Sequence, residues 1–135
     1  MASETADLLQ RVPLFSDLER KELEEIASSM KPRTFSAGQE IAVEGETGVG
    51  FFVIEEGQAK VTVGGDERRT LGPGDYFGEV ALIAKSARTA TVTAETDLKT
   101  YGMTFWDFRP LVEERPGIAW KLLEGAVKQY DQSQQ

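Results

Sequence analysis

Two side chains in this sequence could act on one ligand: Glu79, which follows Gly78, and Arg88, nine residues further on. Arginine presents a planar fork of donors that fits phosphate oxygens in a bidentate manner. A carboxylate can accept from a pair of hydroxyls, as ribose-binding carboxylates do in dinucleotide sites. The stretch around Gly78 reads as a turn leading into one short helical turn that starts at Gly78. Backbone amides at the start of such a turn lack partners and attract an anion. Gly78 lets the backbone approach a ligand closely. Arg88 is flanked by the small residues Ala87, Thr89 and Ala90, which leave room around it. One unbroken helix would hold Glu79 and Arg88 about 13.5 Å apart along its axis, too far for one small ligand. A short helical turn, the polar loop 84–87 and a strand opened by Arg88 bring them together. The chemistry is recognition of one anion and one sugar edge. On residue type alone, Glu and Arg on loops are ordinarily solvated charges, so the elements that position them decide between the two readings.

Those elements are legible along the chain. Ser16-Asp17-Leu18-Glu19 reads as a capping box that opens a helix. Leu23, Ile26, Ala27 and Met30 recur on its apolar face, opposite Arg20, Lys21, Glu24 and Glu25, and Pro32 ends it. A shorter apolar stretch, with Leu8, Leu9 and Val12, precedes it and breaks at Pro13. From about Arg33 to Met103 the period becomes two, and short runs are separated by glycine-rich turns. This pattern predicts an antiparallel sandwich or barrel. The continuous apolar run 51–54 predicts a central strand, and Ala59, Val61 and Val63 alternate as in a half-buried one. Gly64-Gly65-Asp66 is a hairpin turn. Residues 88–94 and 98–103 read as two further strands. Thr104 caps a helix carrying Phe105, Phe108, Leu111 and Val112. Pro116 starts another, where Ala119, Leu122, Leu123, Ala126, Val127 and Tyr130 form one stripe. The polar tail 131–135 frays. The reading is therefore mainly β with flanking helices, in one domain: a helical opening at about 5–30, strands at about 31–103 and C-terminal helices at about 104–131.

Composition narrows the chemistry. The 135 residues include no cysteine and no histidine, which removes disulfides, a thiolate nucleophile, and the commonest metal ligand and general base. No catalytic residue and no metal ligand is assigned. With 15 basic against 23 acidic residues, the net charge is −8 and no basic run is present. That argues against nucleic-acid binding by this segment, which calls for a basic face. The polar, acidic N-terminus has no signal-peptide pattern, and no apolar run approaches the ~20 residues of a membrane helix. A cytoplasmic location and no membrane partner are expected.

The segment Phe77-Gly78-Glu79-Val80-Ala81-Leu82-Ile83, with Ala87-Arg88-Thr89-Ala90-Thr91-Val92, resembles the phosphate-binding cassette of the cyclic-nucleotide-binding domain family. That family includes catabolite-activator-like regulators, regulatory subunits of cyclic-nucleotide-dependent kinases and cyclic-nucleotide-gated channels. The likeness covers roughly residues 8–128. Val12-Pro13-Leu14-Phe15-Ser16-Asp17-Leu18 is similar to the family's N-terminal segment, Gly57 stands at its tight turn, and 71–79 lead into the cassette. The resemblance implies a double-stranded β-helix, or jelly-roll-like β-roll, with N-terminal helices and C-terminal lid helices. It implies that Arg88 pairs with the exocyclic oxygens of a cyclic phosphate and that Glu79 accepts from the ribose 2′-hydroxyl. The amides of Gly78, Val80 and Ala81 would line sugar and phosphate. Thr89 would sit beside the phosphate and the purine edge, and Val61 would wall the pocket. The helix from Pro116 is placed for part of the lid over the base, although the chain stops near where that lid would continue. The resemblance implies cAMP or cGMP as the ligand, with no cofactor. Ala87 stands where many members have proline, which alters loop stiffness more than chemistry. Thr89 replaces the alanine or serine of several cAMP-preferring members. In the family a threonine there is often tied to cGMP and is also common where cAMP is preferred.

Other residues have blander readings. Trp106 is expected in the core or at a helix–barrel contact, Trp120 lies at the edge of its helix stripe, and Tyr130 is the better lid candidate of the three aromatics. Arg68-Arg69 reads as a solvated strand pair, Asp75 as a turn former, and Glu55-Glu56 and Glu113-Glu114 as surface charge. Three functions follow. The first is a ligand-gated sensor that moves its C-terminal helices for an unidentified effector domain or protein; a homodimer is compatible with it. The second is a degenerate β-roll interaction domain without ligand. The third is a cupin-type enzyme, against which the lack of His and Cys argues. A transcription factor would need some 60 further residues for its DNA-binding part.

Overall fold

The computed structural model describes residues 2–48, 50–84 and 86–133. In chain order the elements are α1 (Ala2–Leu9), α2 (Arg20–Ser29), β1 (Lys31–Phe35), β2 (Glu40–Ala42), β3 (Thr47–Gly48), β4 (Gly50–Glu56) and β5 (Ala59–Val63). They continue with β6 (Asp66–Leu71), β7 (Tyr76–Phe77), β8 (Ser86–Ala87), β9 (Thr91–Ala94), β10 (Leu98–Thr104), α3 (Phe105–Glu114) and α4 (Pro116–Ser133). Two compact units result: the strands in Lys31–Phe105, and the helices in Met1–Met30 with Trp106–Gln135.

In the strand unit, glycine-punctuated runs of alternating residues pair only antiparallel. One sheet has the order β1-β10-β4-β7, a second β2-β9-β5-β6, and β3 pairs with β8. This is the β-roll expected. β4 is interior, as its continuous apolar run requires. Inward residues of both sheets meet in one core that includes Ile54, Ala59, Leu71, Phe77, Val92 and Leu98. Phe52 stacks on Phe77 with ring centroids 5.3 Å apart and meets Phe35 edge-on at 5.6 Å. Burying each large apolar side chain of this kind contributes ~1.5–3 kcal/mol. The β5–β6 hairpin turns on Gly64 and Gly65, at φ 60° and 85°, between the paired Val63 and Asp66. Positive φ at both central residues matches the strand twist and favours glycine there. Further along, pairing jumps from Thr62↔Glu67 to Val61↔Arg69, so Arg68 is the extra residue of a β-bulge.

The helical unit departs from the sequence reading in five places. α2 begins at Arg20, not after Ser16, and Glu19 is its N-cap. Glu19 and Glu22 form the reciprocal box, the Glu19 amide donating to Glu22 Oε1 at 2.9 Å. Ser16 is taken up otherwise: its amide donates to the Pro13 carbonyl, 3.0 Å, closing the 3-10 turn Pro13–Phe15. α2 ends at Ser29, and Pro32 lies in β1 opposite Tyr101. β1 is an outer strand, where proline's missing amide is tolerated. α4 runs to Ser133, so the helix continues through 131–133, while 134–135 lie outside the described residues. The single α4 stripe is split. Ile118 and Leu122 are buried, and a side chain on Gly125 would lie 2.7 Å from the Leu14 carbonyl. Trp120, Leu123, Val127 and Tyr130 are each more than half exposed.

Polar contacts bind this unit as well. Lys121 Nζ reaches Glu22 at 2.7 Å and Glu19 at 3.4 Å, Lys128 reaches Asp17 at 2.8 Å, and Arg115 reaches Glu25 at 2.9 Å. Phe15 and Phe108 meet with centroids 6.5 Å apart. Trp106 is 59% exposed and so is not a core residue, because α3 turns Phe105 and Phe108 inward instead. Among the described residues no helix is long and apolar enough to cross a membrane.

Candidate functional site

A cavity of about 290 Å³ opens within the strand unit. Its walls contain all seven residues singled out from the sequence: Val61, Gly78, Glu79, Val80, Ala81, Arg88 and Thr89. Val61 reaches it from β5. The next four come from the 3-10 turn Glu79–Leu82 and its N-cap, Gly78. Gly78 has φ 86°, a left-handed conformation that favours glycine. Of the three backbone amides expected at the ligand, that of Ala81 donates to the Gly78 carbonyl at 3.0 Å and so closes the turn. Asp75 shapes the approach, its carboxylate accepting from the Gly72 amide at 2.8 Å.

Arg88 does not open a strand. It lies between β8 and β9, and its main chain is clipped to 45–46. Its amide donates to the Glu46 carbonyl and its carbonyl accepts from the Gly45 amide, each at 2.8 Å. This clip extends the β3–β8 ladder and explains why β9 starts only at Thr91. The guanidinium is half-buried, and Nη2 donates to the Gly50 carbonyl at 2.7 Å. Two glycines make its slot. A Cβ on Gly48 would overlap Nε and Cζ, and one on Gly78 would lie 2.7 Å from Nη1. No periodicity in the sequence pointed to Gly48.

Glu79 and Arg88 line the same cavity without a direct ion pair between them. Burial pushes the Glu79 carboxyl above the usual carboxylate range, against its own backbone hydrogen bond and the charges of Arg69 and Arg88. Burial likewise lowers Arg88, against the charge of Glu79. Two half-desolvated, opposite charges thus border one space, which suits a ligand with an anionic group and a hydroxyl.

The pair carries a stability consequence. Between the ordinary carboxylate range and the raised value at Glu79, the folded protein holds a proton that the unfolded chain has released. Stability therefore falls as pH rises through that window. Glu79→Gln removes the titration and the buried charge. Thermal melts of the ligand-free variant from pH 4 to 8 are expected to lie above wild type at neutral pH and to lose this pH dependence; a lower melting point at pH 7 would contradict it.

Arg69 is exposed, as its solvated reading expects, and it also borders the cavity, as do Tyr76 and Val92, which sequence reasoning did not single out. A signal was present: Leu71 is buried, and the period of two puts Arg69 on the same face. Among the described residues no group of His, Cys, Asp and Glu is arranged to hold a metal ion.

Comparison with known proteins adds to this geometry. The sequence profile described as "Cyclic nucleotide-binding domain" matches residues 32–115. The chain is 43% identical over 93 residues, 67% of its length, to a cAMP-dependent protein kinase regulatory subunit of Yarrowia lipolytica. It is 37% identical over 121 residues, 90% of its length, to a cyclic nucleotide-gated potassium channel of Rhizobium etli. It spans 25% and 34% of the length of these two relatives. The N-terminal domain of a transcriptional regulator from Streptomyces coelicolor superposes with a TM-score of 0.85 at 30% identity, covering 95% of this chain and 92% of that one.

Proposed function

Because this chain belongs to the cyclic nucleotide-binding domain family, we propose that its cavity captures cAMP or cGMP and that the chain serves as a regulatory sensor without chemistry of its own. The observation that carries this reading is the shared cavity of Arg88 and Glu79. Arg88 takes the two exocyclic oxygens of the cyclic phosphate with its planar fork. Glu79 accepts from the ribose 2′-hydroxyl, and this contact selects ribose over deoxyribose. Gly78 and Val80 bring main chain against sugar and phosphate, and Val61 and Thr89 border the ligand.

The two compact units act as one functional domain in this proposal. Ligand capture shifts the turn Glu79–Leu82, and α3 and α4 transmit the shift to an effector domain or protein in the cytoplasm. A signal requires that the ligand bind one arrangement of the chain better than the other.

The test is thermal unfolding with cAMP, cGMP and 5′-AMP. A ligand that binds only the native state raises its melting point by mass action, with ~2.7 kcal/mol added at a hundredfold excess over Kd. One or both cyclic nucleotides are expected to raise the melting point, and 5′-AMP, with its extra charge and no ring, much less. No shift with either cyclic compound, confirmed by calorimetry, would leave a ligand-free interaction domain.

A further inference from the structure

Glu44 stands outside the cavity, yet it ties together segments that wall it. Its amide donates to the Thr91 hydroxyl at 3.0 Å, and its Oε1 accepts from the Gly64 amide at 2.8 Å. Gly64 is the first central residue of the β5–β6 turn, between the paired Val63 and Asp66. Such a turn bonds its first residue to its fourth, so it gives the Gly64 amide no partner of its own. The Glu44 carboxylate supplies one. Two residues earlier, Ala42 ends β2 and lines the cavity. Immediately afterwards, 45–46 hold the main chain of Arg88.

The strand order shows why a strap is needed there. β9 lies between β2 and β5. It begins only at Thr91, opposite Thr62 on β5. Ahead of it, Ala87, Arg88, Thr89 and Ala90 line the cavity instead of continuing β9. The sheet is therefore interrupted at this corner. Among the described residues no strand fills the space between the chain just past β2 and the tip of the β5–β6 hairpin. The Glu44 side chain spans it, and the Glu44 amide pins the first residue of β9. The hairpin held in this way carries Val61 and Arg69 of the cavity wall. An open corner would let the bend 88–90 relax outward, and a strap across it keeps the bend turned to the cavity.

The charge of Glu44 does not favour capture of an anion. What it contributes is an acceptor with reach. We propose that Glu44 is a positioning residue for ligand capture: by joining the β5–β6 turn to the start of β9, it keeps Arg88 and Thr89 aimed at the ligand. The role rests on the cyclic-nucleotide reading above.

Calorimetry with cAMP and cGMP on wild type, Glu44→Ala and Glu44→Gln tests it, together with amide hydrogen exchange on the same ligand-free proteins. Alanine removes the acceptor, and the net worth of one such hydrogen bond corresponds to about fivefold in an equilibrium constant. Glu44→Ala is therefore expected to bind about fivefold more weakly, although deleting a negative charge would by itself tighten binding of an anion. Glutamine keeps a carbonyl acceptor and drops the charge, so Glu44→Gln should bind at least as tightly as wild type. In ligand-free Glu44→Ala the amides of Gly45, Gly64 and Arg88 should exchange about fivefold faster, and glutamine should restore them. Binding is read well below the melting point, where losing one exposed bond leaves the chain folded. Unchanged or tighter binding in Glu44→Ala, an equal loss in both variants, or unchanged exchange in Glu44→Ala would overturn the role and leave the cyclic-nucleotide reading intact. Binding of neither nucleotide by wild type would remove that reading and the positioning role with it.

Discussion

Arg88→Ala is expected to abolish measurable binding of cAMP and cGMP while the chain stays folded. In the proposed site the Arg88 guanidinium takes both phosphate oxygens, and loss of a partly buried, charge-assisted pair costs about 3 kcal/mol or more, a hundredfold in affinity. The fold should tolerate the change. Arg88 is held on the main-chain side by 45–46, which alanine keeps, and its side chain contributes only the bond to the Gly50 carbonyl. Removing it also relieves a cation that burial disfavours. Arg88→Lys should weaken binding about tenfold or more, because a point charge does not reproduce the fork. Calorimetry gives the affinities and thermal melts report the fold. Wild-type affinity in either variant would mean that the phosphate lies elsewhere.

Gly48→Ala is expected to produce nearly the same loss, about a hundredfold, without touching any proposed ligand contact. Its Cβ would occupy the space of the Arg88 guanidinium and lie 2.6 Å from Cδ. Gly48 has no left-handed backbone, so alanine suits its main chain. The clash falls on the far end of a long side chain, which can swing away. The melting point should therefore stay close to wild type. Gly78→Ala makes the contrast. There the new Cβ would overlap the Gly50 carbonyl, which belongs to the main chain, and φ is 86°. That variant should lose binding and also ~1–3 kcal/mol of stability from backbone strain. If Gly48→Ala binds as well as wild type, the guanidinium does not need the slot to do its work.

Glu79 after Gly78 and Arg88 among small neighbours were candidates by position, the resemblance to the phosphate-binding cassette singled them out, and the structure brings both to one cavity. Gly48 was not readable. Its importance depends on a side chain 40 residues away folding over it, and no local pattern encodes that approach. Arg69 lay between these cases. A pair of arginines ordinarily faces water, and both are exposed; that Arg69 also borders the cavity depends on the bulge at Arg68, which appears only once β5 and β6 are paired. The β-roll followed from glycine-spaced alternation, since period and turn residues are local properties. The start of α2 did not, because Ser16 and Glu19 both suit a cap and the 3-10 turn at Pro13 decides between them. In α4, apolar spacing identified the helix but not the partner of each residue. Trp120, Leu123, Val127 and Tyr130 are apolar like Leu122, yet they stand on the uncovered side.

β6 closes one end of its sheet, and its outer backbone edge has no strand beside it among the described residues. Such an edge is a template on which another molecule can add a strand and begin to aggregate. Here the strand carries Asp66, Glu67, Arg68 and Arg69 in succession, and the bulge interrupts its regular spacing. Both features discourage docking by a foreign strand. The same four residues thus keep molecules apart in concentrated solution. Changes made along them also act on colloidal stability, so a one-residue exchange that keeps the neighbouring charges is safer than a neutral rewrite of the whole strand.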